Sequence, residues 1–207
     1  TTEIYTLSLH DALPIYFQPT GTTATFTNDP ASTSDFMVLN RIIPLGSTRP
    51  IQFNGNVVST LSAISAPSVP GGTVFFYSPG GILIGSTATF DIGNLVLTTA
   101  DLNYDSGGNF GSGNTFAFQP VVVPGSQIVV QAGAQITSQV PSSYIALVAP
   151  SVVNDGIIGL DGGAALVAAD AATITFSPSS LFDIQVDSGT SRTEEHTSEL
   201  QSRAYLV

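Results

Sequence analysis

The chain has 207 residues, no cysteine, no tryptophan and a formal net charge of −11. That balance excludes a disulfide framework, a thiolate metal site and a nucleic-acid surface built on phosphate neutralisation. An anionic membrane would repel it, yet a hydrophobic content of 43% is enough for a sizeable core in one domain.

In chain order, residues 16–35, rich in Thr and Ser, predict one or two edge strands and loops that cap the fold. FMVLNRII (residues 36–43) predicts a strand that ends against Pro44. In IQFNGNVVSTL (residues 51–61), Ile51 and Phe53 share one face and Asn54-Gly55 reads as a tight turn. Residues 71–77 predict a strand running into a turn made of Ser78, Pro79, Gly80 and Gly81. Beyond it Ile82 and Ile84, Phe90 and Ile92, and Leu95 and Leu97 alternate with their neighbours in pieces cut by Gly85 and Gly93. Such short strands cannot bury a face alone and need like neighbours stacked above and below.

DLNYDSGGNFGSG (residues 101–113) is a polar excursion projecting from the core. Asp101 and Asp105 there are read either as calcium ligands or as part of a solvated loop; the spacing of known calcium loops is absent. In the C-terminal half, IALVA (residues 145–149) recurs as AALVA (residues 164–168), nineteen residues later. Ile128, Val129, Val130 and Ile136 form a similar unit upstream; Ile174, Phe176, Phe182, Ile184 and Val186 form another downstream. A period near twenty with polar corners predicts an all-β chain wound as a parallel β-helix, with room for about nine coils. Ala146, Ala149, Ala165 and Ala168 are expected to point into its narrow interior. Asn94 and Asn154 are expected at corners, in left-handed geometry, stacking as amide ladders.

Composition changes sharply near Ile15 and near Ser191. Every His (His10, His196) and every Glu (Glu3, Glu194, Glu195, Glu199) lies outside the interval between them. YTLSLHDALPI (residues 5–15) is similar to a reading-frame translation of a sequencing-library adapter, and RTEEHTSELQS (residues 192–202) resembles its partner adapter with one difference at Thr193. Residues 1–15 and 192–207 are therefore read as adapter-derived, and residues 16–191 as the genuine domain, a fragment of a longer protein. Neither terminal segment is expected to pack. This removes His10, Asp11, Glu194, Glu195 and His196 from any catalytic or metal-binding role. Ten Asp remain against Arg41 and Arg49, a net of −8.

Residues 36–187 resemble the haemagglutination-activity domain of filamentous haemagglutinins, the secretion domain of two-partner-secretion (TPS) exoproteins. The matching pieces are VLNR (residues 38–41), IQFNG (51–55), residues 77–99, SSYIALVAPSVVNDGII (142–158) and GGAALVAADAATITF (162–176). The resemblance implies a right-handed parallel β-helix with an N-terminal cap. It implies export to the periplasm of a Gram-negative bacterium and recognition by the periplasmic domains of an outer-membrane TpsB-type transporter. The chain would then be threaded outward to fold at the cell surface. No cofactor or metal is implied, and host-surface or glycan ligands are expected to act through downstream regions. The family usually carries Asn-Pro-Asn-Gly where this chain has Ser78, Pro79, Gly80 and Gly81, so both asparagine side chains are gone.

Asn40, Arg41, Ser78, Pro79, Gly80, Gly81 and Asn94 are the candidates for transporter recognition. Each has a plainer reading: Pro79, Gly80 and Gly81 make the turn, Arg41 satisfies carbonyls at the cap, and Asn94 is a ladder residue. The functional expectation is a non-catalytic secretion and scaffold domain of an adhesin-like exoprotein. A passenger segment of a self-translocating autotransporter shares the fold. A β-helix carbohydrate-active enzyme needs paired carboxylates or a basic residue facing a groove. Residues 16–191 offer no Glu, Lys or His for that task.

Overall fold

The computed structural model describes residues 2–9, 16–31, 35–44, 48–63, 66–104, 109–110, 115–176, 182–189 and 204–206. Every regular element among them is a β-strand. His10, Asp11, Asp105, Glu194, Glu195 and His196 lie outside the described residues.

Most strands fall on three parallel ladders, here called faces. Face one stacks Tyr16–Gln18, Ile51–Phe53, Ile82–Ile84, Gln127–Val130 and Ser151–Asn154. Face two stacks Thr23–Thr27, Asn56–Ala63, Thr89–Asp91 and the first parts of Gln135–Ala149 and Ile157–Ala168. Face three stacks Met37–Pro44, Thr73–Tyr77, Asn94–Thr98 and the second parts of the same two long strands. The chain visits faces one, two and three in that order five times.

Corners repeat from coil to coil. Leaving face one, the amides of Asn54, Gly85, Gln131 and Asp155 donate to the carbonyls of Gln18, Phe53, Ile84 and Val130 at 2.7–2.9 Å. Entering face two, the amides of Asn56, Thr89, Gln135 and Ile157 donate to those of Thr22, Gly55, Ala88 and Ala134 at 2.8–3.2 Å. The tight turn read at Asn54-Gly55 is thus one of these corners.

The inward residues of all three faces form one apolar column. Ile51, Ile82 and Ile128 are in register on face one, Val57, Phe90 and Ile136 on face two, and Val74, Leu95 and Ile145 on face three. All nine are fully buried or nearly so. Phe53 packs against Phe76 and Phe90 with ring centroids 5.0 and 5.4 Å apart. The IALVA and AALVA segments lie side by side in register, Ile145 against Ala164 through Ala149 against Ala168.

A second core lies on the outside of face three. Leu39, Phe75, Val96, Ala146, Val148, Ala165 and Val167 pack there against Leu102, Phe110, Phe116, Phe118, Ile174 and Phe176. An antiparallel sheet of Thr115–Phe118, Ala171–Phe176 and Phe182–Ser188 covers them.

Several expectations are corrected. There are five coils among the described residues, not nine, because the hairpin of Asn56–Ala63 with Ala66–Pro70 and the covering sheet consume chain. The segment with Ile174, Phe176, Ile184 and Val186 is an antiparallel pair, not another coil. Ala146 and Ala165 face the second core; Ala149 lies in the column. Neither Asn94 nor Asn154 is left-handed: among the described residues Ser142 (φ 59) is the only non-glycine with positive φ. The start of the excursion does not project, since Leu102 bridges to Phe118 and both are buried.

Both terminal segments contribute a strand, against expectation. Thr2–Leu9 pairs with Met37–Pro44 in parallel, and Ala204–Leu206 pairs with residues 165–167 in antiparallel. Main-chain pairing at an open sheet edge does not depend on side-chain identity, so these strands leave the origin of the segments open.

The register carries a direct test. Ile84→Asp and Ile145→Asp each place a carboxylate in the column and are expected to abolish folding. Leu83→Asp, one residue away on the outward side of the same strand, is expected to fold, as circular dichroism and limited proteolysis will read.

Candidate functional site

Face three ends in a polar cluster that brings together six of the seven recognition candidates. Arg41 is in register with Tyr77, and Tyr77 leads straight into the turn at residues 78–81. Asn94 sits at the opposite end of face three, in register with Thr73.

The turn is closed by the Gly81 amide donating to the Ser78 carbonyl at 3.2 Å. Pro79 presets the backbone of its second position, and Gly81 has φ +121. All four residues are buried. A Cβ on Gly80 would press into the Arg49 carbonyl, and one on Gly81 would come within 2.9 Å of the Gln127 carbonyl. The Ser78 amide donates to the Thr98 carbonyl at 3.1 Å, while its Oγ meets no hydrogen-bond partner among the described residues. The turn therefore fills a gap between the backbones of the coils before and after it.

Asn40 points inward, in register with Phe76, and donates through Nδ2 to the Phe75 carbonyl at 3.1 Å. Arg41 points outward. Its Nε donates to Asp101 Oδ1 at 3.2 Å and its Nη2 to Asp101 Oδ2, a bidentate pair. The guanidinium also lies 5.6 Å from the Tyr77 ring and 5.5 Å from the Tyr104 ring. The Asp101 hydrogen bond holds Arg41 above its ordinary pKa, against a smaller opposing effect of burial. Asp101, one of the two residues read as calcium ligands, thus serves an arginine. Arg41 thus meets a carboxylate, a partner that the expectation of carbonyls at the cap did not include.

Asn94 is a coil-bridging residue. Its Nδ2 donates to Thr73 Oγ1 at 3.2 Å, and its Oδ1 accepts the Tyr144 amide at 2.9 Å. Beside it the Gly93 amide donates to Ser59 Oγ at 2.8 Å and the Gly93 carbonyl accepts from Ser138 Oγ at 2.7 Å. This corner is held by side chains of the coils above and below, not by stacked amides.

A family model for the TPS secretion domain matches residues 19–203. The chain belongs to the TPS secretion domain family. No curated protein matches it. The matched span begins after the N-terminal segment read as adapter-derived and runs past Ser191 into the C-terminal one.

In this TPS domain the family's second asparagine is replaced by Gly80, at a position where the structure leaves no room for a side chain. Gly80→Asn, which restores the second of the two asparagines, is expected to destabilise the fold by about 1–3 kcal/mol through overpacking. Ser78→Ala removes a buried hydroxyl without a partner and is expected to leave the urea midpoint unchanged.

Two tyrosines of the domain are strongly shifted. Burial pushes Tyr144 from 10.0 up to about 12, with Asp35 adding and a hydrogen bond to Thr73 opposing. Burial also pushes Tyr77 up to about 12, with Asp101 adding and Arg41 opposing. A raised folded-state pKa means that the unfolded chain loses its proton first. The stability these two tyrosines contribute is therefore fully present below pH 10 and is lost as pH rises from 10 to about 12. For Tyr144 the loss is ~2–3 kcal/mol. Denaturation at a series of pH values should show the decline, and Tyr144→Phe should lessen it, leaving the part due to Tyr77.

Proposed function

We propose that this domain is the secretion and scaffold unit of a large adhesin-like exoprotein, carried through the periplasm of a Gram-negative bacterium to the cell surface by a TpsB-type outer-membrane transporter. The observation that carries this reading is the repeated corner bonding of five coils that visit their faces in one order. Such a chain can cross a pore extended and then fold coil by coil, each coil templated by the one before. Absence of cysteine leaves no disulfide to obstruct threading.

The winding is right-handed in this reading, and the three faces close around the column. The general right-handedness of parallel crossovers supports it. The domain acts as a scaffold and not as an enzyme. Transporter contact at Ser78, Pro79, Gly80 and Gly81 precedes folding, because the folded chain buries all four.

The test is export of the full-length exoprotein from a Gram-negative host with and without the cognate transporter. Surface or medium protein should appear only with the transporter. Appearance without it would favour the self-translocating alternative. Glycan turnover lost on a single Asp→Asn change would replace the scaffold reading with an enzymatic one. Ser78→Ala separates recognition from folding: reduced export at unchanged stability assigns the hydroxyl to the transporter.

A further inference from the structure

Apolar packing holds the antiparallel cover on face three, and apolar packing by itself has no preferred position. Phe116, Phe118, Ile174 and Phe176 lie on the Phe75, Val96 and Val148 surface, and main-chain bonds root the segments leading into the cover on the fourth coil, from the Thr99 amide to the Val148 carbonyl and from the Ala169 amide to the Ala149 carbonyl. The segment that opens the excursion adds a polar tie to the first coil. The Gln119 amide donates to the Asp101 carbonyl at 2.7 Å, and the Asn103 amide to the Ala117 carbonyl at 3.1 Å, so residues 101–103 extend the antiparallel cover. The Asp101 carboxylate then reaches Arg41, sixty residues earlier, in the first coil. Tyr77, from the second coil, and Tyr104, from the excursion, lie against the guanidinium. The ion pair is mostly shielded, with side-chain exposures of 17% and 23%.

We infer that Arg41 is a latch: it fixes the position of the antiparallel cover by tying its edge, through Asp101 and Tyr104, to the first and second coils. A bidentate guanidinium–carboxylate pair is directional where dispersion is not. Partial shielding from water strengthens it relative to a surface pair. The latch closes only when residues of the first coil, the second coil and the excursion have all reached their places. Arg41 is thus a positioning residue of the fold.

Hydrogen exchange on the full chain separates this from a general contribution to stability. Arg41→Gln and Asp101→Asn should speed exchange at Thr115–Phe118 and Ala171–Phe176 by about tenfold or more. Exchange at Ile82–Ile84 and Gln127–Val130, in the column, should not change. The double variant should be no worse than the worse single one. Equal acceleration in cover and column, or none in either, would overturn the latch. If Arg41→Gln does not fold, Arg41→Lys decides. Lysine keeps the charge but lacks the planar fork, so the cover should still exchange faster while the column does not. Wild-type exchange in Arg41→Lys would show that charge alone suffices and would overturn the assignment.

Discussion

The amide that leaves each face-one strand donates to a carbonyl of the coil before, at Asn54, Gly85, Gln131 and Asp155 alike. These bonds set the register on which the rest depends. Side chains in a strand alternate between two sides, so a slip of one residue would turn every inward residue outward. Face one cannot tolerate that, because Ile82–Ile84 has only two inward residues to offer the column. With strands this short, the hydrophobic effect supplies the drive and the corners supply the address.

The same logic explains the corner at Gly93. A coil corner exposes main-chain groups that no ladder satisfies, and burying them unpaired would be costly. Ser59 and Ser138, from adjacent coils, bond the Gly93 amide and carbonyl, and Asn94 bonds both neighbours in turn. Glycine is needed there for close approach: a Cβ would run into the Gly72 carbonyl. The small and polar residues that punctuate this sequence are therefore structural partners of one another across coils, at separations of 21 to 45 residues.

The alternation of Ile82 and Ile84, Phe90 and Ile92, and Leu95 and Leu97 made the column legible, and the nineteen-residue echo placed the last two coils in register. The second core was less visible, although it left a signal. TVFFY is buried at every position, and a strand buried on both sides reads as a continuous apolar run rather than an alternating one. Thr89–Asp91, with one side open, alternates. The contrast between VFFY and TFD marks which face is covered, but not what covers it. Antiparallel pairing of Ala171–Phe176 with Phe182–Ser188 looked like one more coil because a β-branched segment has the same local pattern in either direction. The partner of Arg41 was hidden for a different reason. An arginine in the apolar strand MVLNRIIP demands a carboxylate, but ten aspartates were available and contact across coils leaves no trace in spacing.

The two ends of the stack differ in chemistry. In the first coil Gln18, Asn28 and Asn40 are buried amides. Gln18 donates to the Asn56 carbonyl, Asn28 to the Ser62 carbonyl, and Asn40 to the Phe75 carbonyl, all main-chain groups of the second coil. In the last coil Val152, Ile158 and Leu160 hold the inward positions and are only partly buried. Amides that bond the next coil make the first coil's side of the column partly polar, although Phe26 and Phe36 of that coil also pack on the column and are only partly buried. Half-buried valine, isoleucine and leucine on the other side still lose water when covered. The ends therefore differ in degree: buried amides share the first coil with Phe26 and Phe36, whereas Val152, Ile158 and Leu160 of the last coil are all aliphatic.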